Sequence, residues 1–353
     1  MSAAPLAAAL DHVIDTAQYE FLTTHRSALV VGVLRGGERA TRGWGTRDPG
    51  RDDSAPDGDA HFEIGSVTKV FTATLLSELS ARDTVPLNEA NIVSTSLAMR
   101  LPRGFTLQAL ATHTSGLPRL PLNALPHVLR NFDDPYGAYL EPELLRDLRR
   151  CAPWLGFRKH RVRYSNYGYA VLGLTLSRHR HLPFTQLLQR HVMDPLRLDD
   201  TRMADSDCAT SLVRPRDEAG NGVPAWQTGA FAPAGGLRST VNDLLRFLEA
   251  QLNAAPDSAI AGTQRPLEPI NAHDAVGLGW NMYVRRDGST LHWHNGATAG
   301  SQAFLAFARA TNSAVAILSA GLDDTRDGAI DIDNLGARLL RSIEDGPEGK
   351  RTP

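Results

Sequence analysis

Lysine is almost missing from this sequence: among 37 basic residues only Lys69, Lys159 and Lys350 are lysines. Where the chain needs fixed positive charge it uses arginine, which stays protonated, so a lysine inside an apolar stretch points to an amine that can lose its proton. Cysteine is scarce too. Cys151 and Cys208 are too few and too far apart for a disulfide framework or a metal cluster, and each is expected to be a small buried hydrophobe. No apolar run approaches the roughly 18 residues of a membrane helix. The net charge of −2 gives no electrostatic footprint for nucleic acid or an anionic membrane. The chain has no H-E-x-x-H, no G-x-S-x-G and no P-loop lysine, which argues against a zinc peptidase, an α/β-hydrolase and a nucleotide-binding enzyme. His179-Arg180-His181 lies in a basic stretch without a carboxylate pair, so no metal and no cofactor are implied. The first residues lack the basic n-region of a secretory signal, and a cytoplasmic protein is expected.

Hydrophobic residues at 42% and charged residues at 22% are ordinary globular values with ample core, so small-molecule chemistry is the class left. The stretch that organises the chain is His61-Phe62-Glu63-Ile64-Gly65-Ser66-Val67-Thr68-Lys69-Val70-Phe71. Helix positions i and i+3 share a face, about 5–6 Å apart between Cβ atoms, so Ser66 and Lys69 can meet. That is a nucleophile beside a candidate base, provided burial or nearby charge lowers the amine's pKa.

Periodicity predicts an amphipathic helix from Ala7 to about Phe21, a buried strand over 28–34, a Gly36-Gly37 turn and a returning strand over 39–44. Residues 46–59 read as a loop and the Ser66 helix as running to about Ala81. Short helices follow at 106–111 and 141–150, then Tyr167 to Ser177 and Phe184 to Met193, the last closed by Asp194-Pro195. Residues 235–240 read as a turn, with Ser239 or Thr240 capping a helix over 241–252. Strands are predicted over 276–284, 291–294, 301–308 and 313–320, and a last helix over 332–343. The fold class is therefore α+β: one antiparallel sheet assembled from both ends of the chain and flanked by helices, plus a mostly helical lobe. The sheet lobe takes about residues 1–85 and 235–345, the helical lobe about 86–234, and together they form one catalytic domain, 1–345, with a disordered tail at 346–353.

Three motifs in order then give a resemblance. Ser66-x-x-Lys69, Tyr164-x-Asn166 and His294-Asn295-Gly296 follow the sequence of motifs in serine β-lactamases and penicillin-binding proteins. Leu110-Ala111-Thr112-His113-Thr114-Ser115-Gly116-Leu117 and Ala234-Gly235-Gly236-Leu237-Arg238-Ser239-Thr240 also look like phrases of that family, and the likeness spans roughly residues 10–343. The tyrosine is similar to class C β-lactamases and their family VIII esterase and D-aminopeptidase relatives. The resemblance implies a penicillin-binding-protein-like fold and an acyl-enzyme on Ser66. Lys69 and Tyr164 would share the proton work, with the tyrosine's pKa lowered by nearby positive charge. Asn166 would hold Lys69 or the substrate amide, and the backbone N–H groups of Ser66 and Ala297 would form the oxyanion hole. Gly296 would be small because substrate lies against its strand.

His294-Asn295-Gly296 departs from the Lys-Thr-Gly of lactamases and transpeptidases, as in many esterase-type members. Histidine offers less positive charge to a substrate carboxylate near neutral pH, which favours an ester or amide hydrolase over a β-lactamase. The open alternatives are a class C-like β-lactamase, a D-amino-acid peptidase, a transacylase, and a non-catalytic binding domain. His113 is expected to be structural, Arg238 to support the site, Asp243 to favour a helix N-terminus, and Tyr167 and Trp280 to line either cleft or core. The partner is a small ester, amide or β-lactam; oligomeric state is open.

Overall fold

The computed structural model describes residues 4–345 except 12, 16–17, 20–21, 23–26, 83–84, 90, 132, 156–160, 205–211, 218 and 323–329. Phe21, Cys208 and the tail after Asp345 lie outside the described residues. The first helix, α1 (Ala4–Asp11), ends well before the expected boundary; Val13 N–H already turns back to Leu10 O at 3.3 Å. Leu6, Leu10 and Val13 all bury, so apolar spacing runs on through a bend that spacing alone does not register.

β1 (Ala28–Arg35) turns at Gly36–Gly37 into β2 (Glu38–Gly45). β3 (Phe62–Glu63) leads through a tight 3₁₀ turn, Gly65–Val67, into α2 (Thr68–Ala81). The helical region then carries α3 (Leu107–Ala111), α4 (Glu141–Leu155) and α5 (Asn166–Arg180), with the short β4 at Arg202–Met203. β5 (Leu237–Ser239) precedes α6 (Val241–Leu252). The last part supplies β6 (Glu268–Pro269), β7 (Asp274–Val276), β8 (Asn281–Val284), β9 (Thr290–Ala297), β10 (Ser301–Ala308), β11 (Ser313–Ala320) and α7 (Ile332–Asp345).

The main sheet is antiparallel, ordered β2-β1-β11-β10-β9-β8-β7-β6, so strands from both ends of the chain close on one another. Its central strands read as unbroken apolar runs because both faces are covered. Alternate residues Val30, Leu34, Leu305, Phe307 and Leu318 join the core under α2 and α6, while Leu29, Val31, Phe304, Val315 and Ile317 join the core under α1 and α7. A smaller sheet, β3-β5-β4, braces the turn before α2.

Three expectations need correcting. The run 276–284 is two strands, with Gly277 N–H bonded to Trp280 O at 2.9 Å and Gly279 at φ +79; the apolar signal persists because Leu278 and Trp280 bury within the turn. The helix from Phe184 does not close before Asp194-Pro195 but continues through a wider turn, Gln189–Met193, into Asp194–Leu196, so that Pro195 falls in its last turn, where the wider turn has already broken the regular i→i−4 bonding. Residues 237–239 are strand rather than turn, too short for periodicity to show. Thr240 caps α6 as expected, its hydroxyl accepting from Asp243 N–H at 3.2 Å.

α2 is buried on nearly every side, so it shows little amphipathicity; its polar side chains find partners instead. Thr68 accepts from Leu237 N–H at 3.1 Å and Thr72 donates to Pro233 O at 2.7 Å. These bonds fix the helix against the Pro233–Leu237 segment and set the azimuth of Lys69.

Candidate active site

Ser66 stands in the 3₁₀ turn ahead of α2, where a helix start leaves backbone N–H groups open. That turn packs backbone to backbone on the end of β9. Gly65 has φ +47, and a Cβ there would lie 2.7 Å from Ala297 O; a Cβ on Gly296 would lie 2.2 Å from Ile64 O. Both positions admit only glycine. The amides of Ser66 and Ala297 are thereby brought onto one floor.

Around Ser66 Oγ the predicted residues converge. Lys69 Nζ is 2.9 Å away and the Tyr164 hydroxyl donates to Oγ at 2.6 Å. Nζ also donates to Ala234 O at 2.7 Å. Tyr164 is held from behind: Ser165 N–H donates to His113 Nδ1 at 3.1 Å, and the His113 ring lies 4.7 Å from the tyrosine ring. His113 itself has φ +62 and burial drives its pKa well down, so it is the neutral structural acceptor that was expected.

Burial first, and then the Arg119 guanidinium, push the Lys69 pKa well below its ordinary value. The Tyr164 and Tyr169 rings, at 4.9 and 5.6 Å from Nζ, favour the ammonium, but full burial outweighs them. Tyr164 goes the other way. Burial pushes its phenol up to about 12, against the opposing pull of the Ser66 hydrogen bond and Arg119. The expected lowering by nearby charge is therefore overturned: desolvation of the phenolate outweighs the Ser66 hydrogen bond and the Arg119 charge.

Two further expectations change. Among the described residues Lys69 bonds to Ser66 and Ala234, not to Asn166. Asn166 opens α5, interacts with the Tyr136 hydroxyl and leaves its buried Oδ1 without a partner. His294 is buried, with its Nδ1 2.6 Å from Asn295 O, and lies behind the site at 6.5 Å between ring centres from Tyr164 rather than in the cleft wall. Burial, then Lys69, push it down to about 3, so it is neutral throughout the physiological range. Asn295 does line the cleft and is tied to α7 by a 2.5 Å bond from its amide to Asp333.

The cleft, about 430 Å³, is lined by Ser66, Arg119, Tyr164, Asn295, Gly296, Ala297 and, on the far wall, Gln302 and residues 331–333. A smaller pocket of about 70 Å³ lies on the other side of Ser66, against Tyr136, Asn166, Trp226 and Phe231. Ser66, Arg119 and Ala297 border both. Sequence reasoning missed Arg119 and the Ala234 carbonyl, although both adjoin or sit within the family-like phrases: Arg119 follows Gly116-Leu117-Pro118. Tyr167 and Trp280 are fully buried core, and Arg238 is buried behind the site beside Glu63. Asp243 is buried at the start of α6, accepting from Asp200 N–H and the Thr201 hydroxyl at 2.9 Å each and pairing with Arg246. No group of His, Cys, Asp and Glu suited to a metal ion occurs among the described residues.

A serine contacted by both a buried amine and a phenol, at the start of a helix packed on an antiparallel sheet, defines a serine acyl-enzyme hydrolase. The sequence profile of the Beta-lactamase family matches residues 9–339, and the chain belongs to that family of serine β-lactamase and penicillin-binding-protein-like enzymes. It is 26% identical over 312 residues to the D-alanyl-D-alanine-carboxypeptidase/endopeptidase AmpH of Escherichia coli (strain K12), covering 79% of this chain and 75% of the relative. Its fold is similar to a β-lactamase/D-alanine carboxypeptidase from Pseudomonas syringae, with TM-score 0.76, 18% identity and coverage of 98% and 100%. It is also similar to an octameric penicillin-binding protein homologue from Pyrococcus abyssi, with TM-score 0.75, 20% identity and coverage of 92% and 76%. The fold class read from the sequence holds, and the binding-module alternative falls away.

Proposed function

We propose that this enzyme cleaves a small ester or amide through a Ser66 acyl-enzyme, with Lys69 as the base. The observation that carries the proposal is the pair of contacts at Ser66 Oγ, an amine at 2.9 Å whose pKa is depressed and a phenol at 2.6 Å that keeps its proton. Neutral Lys69 takes the serine proton as Oγ attacks the carbonyl carbon. The tetrahedral oxyanion accepts from the Ser66 and Ala297 N–H groups, one such donor being typically worth about 2.7–4 kcal/mol. The bond to the leaving group then breaks as Tyr164 hands it a proton, and the ammonium of Lys69 reprotonates the phenol. Water repeats the sequence on the acyl-enzyme and restores Ser66. The unpartnered Oδ1 of Asn166 is suited to an amide N–H on the acyl side, since a buried acceptor left unpaired costs about 1–3 kcal/mol.

The test is paired initial rates on a short-chain p-nitrophenyl ester and a chromogenic cephalosporin. On the neutral-ester reading, ester turnover with little cephalosporin turnover is expected, because His294, neutral and behind the cleft, does not replace the charge a lysine would offer to the cephalosporin carboxylate; fast cephalosporin turnover would make the enzyme a β-lactamase.

A second reading, a carboxypeptidase acting on a free D-amino-acid C-terminus as the name of the Escherichia coli relative indicates, is favoured by Arg119. This guanidinium stacks 5.4 Å from the Tyr164 ring centre, borders both pockets, and has no salt bridge among the described residues. Arg119→Gln is expected to have two effects. Lys69 must be neutral to act, and Arg119 disfavours its ammonium; without Arg119 the Lys69 pKa rises and the acid limb of kcat/KM moves to higher pH. On the carboxypeptidase reading, the preference for 3-acetoxybenzoate over neutral 3-acetoxybenzamide also falls by about tenfold, as for one partly exposed charge-assisted contact. An unchanged preference would leave the neutral-ester reading alone.

A further inference from the structure

Three residues ahead of the nucleophile, Glu63 takes no part in the chemistry above, yet it is only 3% exposed. It sits on β3 opposite Arg238 of β5, whose guanidinium lies 4.0 Å from Oε1. Oε1 accepts from the Trp226 backbone N–H at 2.5 Å, and Oε2 accepts from the Thr298 hydroxyl at 2.8 Å. Thr298 is the knot of the tight turn that follows Ala297: its hydroxyl accepts from Ser301 N–H at 3.1 Å, and its own N–H donates to Ser301 O at 2.9 Å. Trp226 is a wall of the smaller pocket, with the Tyr136 ring edge-on at 5.1 Å, and Tyr136 in turn reaches Asn166. One carboxylate thus ties the nucleophile segment to the strand end bearing Ala297 and to the wall of the smaller pocket.

A buried carboxylate is costly, and burial does push Glu63 up in pKa while Thr298, Trp226 and Arg238 pull it back. Such a group is weak evidence for stability, since an apolar set of similar volume commonly does as well. What an apolar side chain does not do is accept from two donors on separate segments and fix their separation. The glycine contacts at Gly65 and Gly296 hold β9 on the near side of Ala297; the Glu63 to Thr298 bond holds the turn on the far side. Ala297 lies between these two restraints.

We propose that Glu63 is a positioning residue that sets the Ala297 N–H against the Ser66 N–H and fixes the Trp226 wall of the smaller pocket. The inference rests on the acyl-enzyme reading. An oxyanion hole works when both donors lie about 2.7–3.1 Å from the developing oxygen, and a displacement of about 1 Å can cost on the order of a hundredfold in rate.

Glu63→Gln keeps the volume but presents an NH₂ to one of two donors. With p-nitrophenyl acetate, kcat is expected to fall by about ten- to a hundredfold while KM stays within about threefold, and affinity for phenylboronic acid, which forms a tetrahedral adduct on the serine, is expected to fall in step with kcat. Thr298→Val cuts the same arm from the other end, and the double variant is expected to be little worse than either single one. It also keeps the test intact if Glu63→Gln does not fold. Variants that melt earlier but retain wild-type kcat and boronate affinity would reduce Glu63 to a structural role and overturn the proposal. A wild type that neither binds the boronate nor is labelled at Ser66 by a fluorophosphonate would instead overturn the acyl-enzyme reading, and this inference with it.

Discussion

Ser66→Ala is expected to lower ester turnover by at least about a thousandfold while leaving the fold in place, because removing the nucleophile of a serine hydrolase abolishes covalent catalysis and leaves only binding and oxyanion stabilisation. The side chain is not what builds its turn. That turn is made by Val67 N–H bonding to Ile64 O at 3.1 Å and by the glycine contacts with β9. Oγ bonds only to Lys69 and Tyr164 among the described residues, and Lys69 keeps Ala234 O when Oγ is gone. Thermal melts of variant and wild type should therefore nearly coincide, and fluorophosphonate labelling, read as a mass increment, should disappear. Turnover that survived the substitution would place the nucleophile elsewhere and sink the mechanism.

Legibility in the sequence followed the range of the physics at each position. The i, i+3 geometry that joins Ser66 to Lys69 is local, and the scarcity of lysine singled out the same residue, so the centre of the site was readable from one turn of helix. The central strands were readable because burial on both faces leaves an unbroken apolar signal in β1, β10 and β11. Tyr164 came into view through the order of motifs, but its protonation did not, because desolvation depends on what covers the ring from distant segments such as His113. Arg119 was hidden in a proline-rich connection whose irregular path carries no period. Glu63 was written in the motif itself, yet its two hydrogen-bond partners named above lie 163 and 235 residues away, and no local pattern announces contacts of that separation. The retreat of His294 from the cleft wall has a local origin instead: alternation along β9 turns its side chain inward, while Asn295 next to it faces the cleft.

Lys69→Met tests the division of proton work between amine and phenol, and a loss of about a hundred- to ten-thousandfold in kcat/KM is expected, the usual contribution of a positioned general base. Methionine fills much of the stem's volume in a fully buried slot, so the loss reports the amine rather than a cavity. The pH profile carries the sharper distinction. If Lys69 is the base, wild-type kcat/KM falls as pH drops through the depressed lysine pKa and is flat above it, because protonating the amine removes the acceptor; in Lys69→Met that acid limb should vanish. If a Tyr164 phenolate were the base, activity would have to climb with pH toward the phenol's pKa of about 12, since only the deprotonated fraction would react. Tyr164→Phe should accordingly cost less than Lys69→Met and leave the acid limb in place, with the larger loss on substrates whose leaving group is a poor one, where a proton from the phenol matters most. A wild-type profile that rises steadily to alkaline pH, together with a Tyr164→Phe variant as inactive as Lys69→Met, would reassign the base to the tyrosine and leave the lysine as its electrostatic partner.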